Sequence, residues 1–186
     1  MRNSITPLPG GRLRKEYRGT LAWKREITLL RQMAGSGLCP ELLDAPLRQA
    51  EMTECPGVPL GECIRTASRQ EARGMMAALA AWTDAFEREY HRRTGQTAVL
   101  EDLSPGNFLW DAASRKITGL DFEFWHTGSP AENRGGLLCM AERLKAAEIT
   151  GEELTGELYR QFRGGFDQAE LEHRAARARQ QTALRQ

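Results

Sequence analysis

The chain has 186 residues, enough for one ordinary hydrophobic core, so a single domain or a compact two-lobed one is expected. Lysine and arginine total 26 against 25 aspartates and glutamates, a formal net charge of +1, which excludes a global field drawing the molecule to nucleic acid or to an anionic membrane. The cysteines Cys39, Cys55, Cys63 and Cys139 form no C-x-x-C pair, and no apolar run nears the ~20 residues of a membrane-spanning helix, so a soluble protein of the reduced cytoplasm without a thiolate metal site is expected.

Residues 4–8 and 12–17 read as two short strands split by Pro9-Gly10-Gly11, whose backbone preferences favour a tight reversal. The second strand is basic, with Arg12, Arg14 and Lys15, and an edge lysine can simply be solvated. Gly19-Thr20 opens a helix over 21–33, apolar at Leu21, Trp23, Ile27, Leu30 and Met33 and stopped by Gly35-Ser36-Gly37. Glu26 lies inside it, where a surface ion pair with Lys24 or Arg31 is the plain reading.

Residues 42–45 and 47–54 read as a strand pair around Pro46, followed by a Pro56-Gly57 turn. A long helix over 68–93 carries Met75, Met76, Leu79, Ala80, Trp82, Phe86 and Tyr90 as one apolar stripe, a core face.

The most informative stretch is 98–123. Ala98-Val99-Leu100 is a short apolar strand, Glu101 to Asn107 a polar loop, and Phe108-Leu109-Trp110 a second strand. A turn at 111–114 leads to a third strand over 116–120, which runs into Asp121-Phe122-Glu123. This hairpin-like arrangement would present Asp102, Asn107 and Asp121 at neighbouring strand ends. Two carboxylates and an amide oxygen are hard ligands that suit Mg²⁺, although Asp and Asn also cap ordinary turns.

Beyond it, 124–130 reads as a loop containing His126, and 132–148, 152–163 and 167–183 as helices. The last of these ends in Arg174, Arg177, Arg179 and Arg185, better explained by the helix dipole than by nucleic acid, since no aromatic platform accompanies them.

Asp102-x-x-x-x-Asn107 followed by Asp121-Phe122 resembles the catalytic loop and metal-binding segment of the protein-kinase-like superfamily, in the style of aminoglycoside and choline phosphotransferases. The resemblance runs from about Arg12 to Leu144, with 98–123 its specific part. It implies an α+β fold: a single domain of reduced form, with an N-terminal β lobe and one helix over 1–55 and a mainly helical C-terminal lobe over 56–186. It also implies ATP and Mg²⁺ as cofactors and transfer of a phosphoryl group to a hydroxyl. In those terms Asp102 would accept the proton of the attacking hydroxyl, and Asn107 and Asp121 would hold metal. Lys15, with Lys24 as runner-up, would reach the α and β phosphates, Glu26 would orient that ammonium, and the main chain of Glu54 and Cys55 would meet the adenine edge. Relatives often place an aspartate past the Asp-Phe pair to fix the catalytic loop, a task left here to Glu132 or Asn133.

Departures from the pattern are Leu100, Glu101 and Ser104 in the loop, Glu123 where glycine is common, and the lack of a Gly-rich G-x-G-x-x-G hairpin. They keep open a second expectation, a minimal pseudokinase that senses nucleotide or binds a partner protein.

Overall fold

The computed structural model describes residues 3–162 and residue 176. The basic C-terminal helix expected over 167–183, with its arginines, therefore lies outside the described residues.

The first layer is a four-stranded antiparallel sheet of order β1-β2-β4-β3, built from β1 (Ser4–Leu8), β2 (Arg12–Glu16), β3 (Leu42–Asp44) and β4 (Gln49–Thr53). Gly10 and Gly11 take φ of 78° and 67°, so Pro9-Gly10-Gly11 makes the reversal that its composition foretold. Tyr17 N–H donates to Arg48 O and Glu54 N–H to Gly11 O, which fixes Leu13, Lys15 and Tyr17 as the residues whose main chain faces β4. Ser4, Thr6 and Leu8 then bond to β2, and Ile5 and Pro7 turn their main chain to the outer edge. Proline has no N–H to offer there, which blunts the edge against strand addition.

Helix α1 (Thr20–Gln32) crosses this sheet and buries Ile27, Leu29 and Leu30. Its carbonyls are tied to the rest of the molecule at two levels. Trp125 Nε1 donates to Arg25 O at 3.0 Å, and Arg93 Nη1 donates to Gln32 O and Ala34 O at 2.9 and 2.8 Å.

The second layer is organised by α3 (Arg69–Thr94), which follows β5 (Val58–Pro59) and α2 (Leu60–Thr66). Ser68 and Glu71 close a reciprocal capping box at its start, and Gly95, at φ 71°, ends it. Trp82, Phe86 and Tyr90, four residues apart, form the expected stripe. Phe86 stacks on Trp82 at 5.1 Å and on Phe122 at 5.9 Å, and Trp82 meets Phe108 edge-on at 5.2 Å. These rings seat the hairpin of β7 (Phe108–Asp111) and β8 (Lys116–Gly119) on the helix, with β5 on the other side of β7.

A β-carbon at Gly119 would run into the Trp82 indole and come 3.0 Å from Phe122 Cζ. Gly119→Ala is therefore expected to lower stability by about 1–3 kcal/mol through overpacking, seen as a lower urea midpoint.

Two sequence expectations need correction. Residues 124–130 are not all loop: β9 (Trp125–Thr127) pairs antiparallel with β6 (Ala98–Leu100), so β6 joins a separate two-stranded ribbon rather than the β7–β8 hairpin. The helix expected over 132–148 is α4 (Pro130–Glu142), started by a Ser129–Glu132 capping box. Helix α5 (Gly151–Phe162) packs against α3 and α4.

Candidate active site

In β2 the residues alternate between two surroundings. Arg12 and Arg14 are at the surface and pair with Glu51 of β4 at 3.9 and 2.6 Å. Leu13, Lys15 and Tyr17 face the other way, and only 6 % of Lys15 is exposed, so the solvated edge lysine is ruled out. An apolar-Lys-apolar alternation at 13, 15 and 17 carried that signal in the sequence.

A buried ammonium is costly unless paired. Lys15 Nζ lies 2.7 Å from Glu26 Oε2, 2.7 Å from Asp121 Oδ1 and 2.7 Å from Glu123 Oε1, and 5.0 Å from the centroid of the Tyr17 ring. Burial alone would lower its pKa, but Glu26 and Asp121 outweigh burial and hold it above the ordinary lysine value. Glu26 thus pairs with Lys15, not with Lys24 or Arg31, and its other oxygen accepts the Phe122 N–H at 3.2 Å. Strand, helix and the segment after β8 meet in one contact set.

Asp121 has φ 58°, a left-handed conformation uncommon outside glycine and more accessible to Asp than to most residues. Phe122 drops into the aromatic stripe while the Asp121 carboxylate stays 43 % exposed. Glu123, by contrast, is buried, and burial raises its carboxyl above the ordinary range. Glu123, marked in the sequence only by standing where glycine is common, is the third carboxylate on Lys15 and also accepts from Asn3 Nδ2.

The loop after β6 is closed by local bonds. Asn107 Nδ2 donates to Asp102 O at 3.1 Å, and Gly106 N–H to Ser104 Oγ at 3.4 Å, around a 3-10 turn at Pro105–Asn107. Leu120 N–H donates to Asn107 O at 2.8 Å, which sets the loop beside the residue preceding Asp121. With its Nδ2 engaged, Asn107 keeps Oδ1 as an acceptor. Asp102 is exposed.

Behind the loop, Asn133 of α4 accepts the Leu100 N–H at 2.8 Å and donates to Ala98 O at 2.9 Å, so of the two residues expected to fix the loop it is Asn133 that holds its leading strand. Glu132 instead caps α4 and approaches His126 Nε2 at 3.5 Å, while His126 Nδ1 lies 3.2 Å from Glu101 Oε1. The Glu54 N–H is taken by Gly11 O at 2.8 Å, so that donor is not free for an adenine edge. The Glu54 carbonyl and the Cys55 main chain follow β4 where the chain passes to the second layer.

No protein-family model matches the sequence, and no curated protein matches it. Solved structures match its fold. The streptomycin–ATP–APH(2")-IIa ternary complex superposes with TM-score 0.63 at 10% identity, covering 92% of this chain and 82% of that one. The ADP-bound aminoglycoside phosphotransferase APH(2'')-Ib gives 0.63 at 11% identity, with 94% and 81% covered. A choline/ethanolamine kinase family protein of Mesorhizobium loti gives 0.65 at 16% identity, with 91% and 69% covered. Among the described residues no helix is long and apolar enough to cross a membrane.

Proposed function

We propose, from the protein-kinase-like fold that this chain carries, that it is an ATP- and Mg²⁺-dependent phosphotransferase whose acceptor is a hydroxyl. The observation that carries the reading is the buried contact set in which Lys15 of β2 meets Glu26 of α1 and Asp121 after β8. A lysine oriented by one carboxylate and reaching a second, exposed one is what phosphate binding beside a metal requires.

The donor chemistry fits a hard divalent cation. Glu26, Asp121 and Glu123 bring carboxylate oxygens within 4.8 Å of one another against a single ammonium, an excess of negative charge that a cation offsets. Asn107 and Asp121 would hold Mg²⁺, which when bound would offset charge on the β and γ phosphates. The Lys15 ammonium would bind the α and β phosphates, with Glu26 holding it in place. Asp102 would orient the acceptor and take its proton as the acceptor oxygen bonds to the γ phosphorus and the bond to the bridging oxygen breaks, releasing ADP. Cys55 and the Glu54 carbonyl would take the adenine edge. All of this belongs to one domain over 1–186, with 1–55 as its N-terminal part and a cytoplasmic setting.

One observation favours a second reading. The four-stranded sheet offers only the short Pro9-Gly10-Gly11 turn where related enzymes cover the phosphates with a Gly-rich loop, which suits a pseudokinase that binds nucleotide without turnover and acts on a partner protein.

Thermal unfolding with ATP, with and without Mg²⁺, tests both. ATP at about 100 times its Kd should stabilise the protein by about 2.7 kcal/mol in the presence of Mg²⁺. Asp121→Ala should abolish the metal-dependent part. No shift in any condition would sink both readings. Aminoglycosides and amino alcohols, the acceptor classes of the structural neighbours, come first in a screen by ATP consumption.

A further inference from the structure

We propose that Glu87, a buried carboxylate of α3, is a positioning residue for the Asp102 loop, acting through Asn133. The proposal rests on the reading of Asp102 as the catalytic base.

Among the described residues strand β6 has only β9 for a neighbour, and its other edge faces α4. On that edge Leu100 N–H and Ala98 O both bond to the amide of Asn133, which is 1 % exposed. Asp102 stands two residues beyond Leu100, so the placement of β6 on α4 sets where its carboxylate emerges.

The amide works in one orientation only. Oδ1 must meet the Leu100 donor and Nδ2 the Ala98 acceptor; reversed, each would face its own kind. The second hydrogen of Nδ2 goes to Glu87 Oε1 at 3.2 Å, an acceptor that selects the working orientation. Glu87 is itself held: Arg134 Nη2 lies 3.0 Å from Glu87 Oε2 and 2.6 Å from Asp84 Oδ1. These are the charged groups facing it from α3 and α4. Helix α5 contributes the Phe162 ring, 5.4 Å from the Arg134 guanidinium, while Glu157 turns to Arg160 and Gln161. Burial, partly opposed by Arg134, raises the Glu87 carboxyl to about 7.

The pairing also explains why the residue at 133 is not an aspartate. A carboxylate there would keep one oxygen on Leu100 N–H and set the other against Ala98 O and Glu87, acceptors both. Two carboxylates in that position share a proton and so work only at lower pH.

The test is a swap followed by hydrogen exchange at the Leu100 amide, a readout independent of any activity, together with Mg²⁺-dependent ATP turnover. In Asn133→Asp the Leu100 protection factor should fall about tenfold or more at pH 8 and recover toward pH 6, as the facing carboxylates take up a proton. In the double variant Glu87→Gln with Asn133→Asp, the glutamine amide donates to the aspartate while Ala98 O stays without its donor, so protection at pH 8 should return in part and its pH dependence should weaken. Should Asn133→Asp not fold, the single variants decide. Glu87→Gln keeps one acceptor oxygen for the Asn133 and Arg134 donors and should lose less protection than Glu87→Leu, which should lose about tenfold. Unchanged protection in Asn133→Asp, a double variant no better than it, or equal protection in Glu87→Gln and Glu87→Leu would each overturn the proposal. Protection that follows the swap while turnover does not would uphold the coupling of Glu87 to β6 and overturn the reading of Asp102 instead.

Discussion

Lys15→Met should be the most damaging single substitution in the N-terminal half, lowering stability by about 3–5 kcal/mol, because removing one partner of a buried ion pair strands the others. Here the stranded groups are Glu26 and Glu123, both buried, and the Asp121 carboxylate, with oxygens within 4.8 Å of one another. Without the ammonium that opposes burial, the Glu123 carboxyl would rise further in the folded variant above its value in the unfolded chain. The protonated form then favours folding, so the deficit relative to the parent protein should be smallest below the usual carboxylate range and grow as pH rises through the raised value. Urea titrations of both proteins at about pH 4.5 and pH 8 check this. Equal deficits at the two pH values would mean that the variant suffers only from lost packing. Any stabilisation by ATP should vanish with the ammonium.

The second large effect is expected at Asp102. Asp102→Asn keeps the size of the side chain and leaves its backbone carbonyl available to Asn107 Nδ2, so the loop should survive. On the proposed reading it removes the group that would take the acceptor proton, and general-base assistance is worth roughly 10²–10⁴-fold in rate. ATP turnover should fall by about that factor while the Mg²⁺-dependent thermal shift is retained. Retained turnover in Asp102→Asn would remove Asp102 from the chemistry, and a parent protein that shifts with Mg²⁺-ATP yet never turns it over would be the nucleotide-binding pseudokinase.

Local signals in the chain were readable and long-range ones were not. The reversal at Pro9-Gly10-Gly11 and the stripe at Trp82, Phe86 and Tyr90 are matters of neighbouring residues, and each has a counterpart in the fold; the pattern of Asp102, Asn107 and Asp121 is equally legible in the chain. Strand β9 reads as loop in the sequence because its three residues become a strand only by pairing with β6, some 25 residues earlier in the chain. Glu123 and Glu87 are buried carboxylates whose surroundings come from distant elements, Lys15 in one case and Asn133 and Arg134 in the other. Alternation can mark a buried charge, as at Lys15, but it does not name the partner, which has to be seen. The left-handed backbone of Asp121 was equally hidden, since no glycine marks it.

The ties on α1 bear on how a ligand arrives. Trp125 grips the helix at Arg25, next to Glu26, and Arg93 grips its end, while Leu29, Leu30 and Met33 are wholly enclosed. To swing Glu26 outward would break these bonds at about 1 kcal/mol each and wet three large side chains at about 2 kcal/mol apiece. The helix therefore stands already cocked. Nucleotide capture should follow single-exponential kinetics whose rate climbs in proportion to concentration without levelling off, the signature of an encounter that waits on no prior rearrangement.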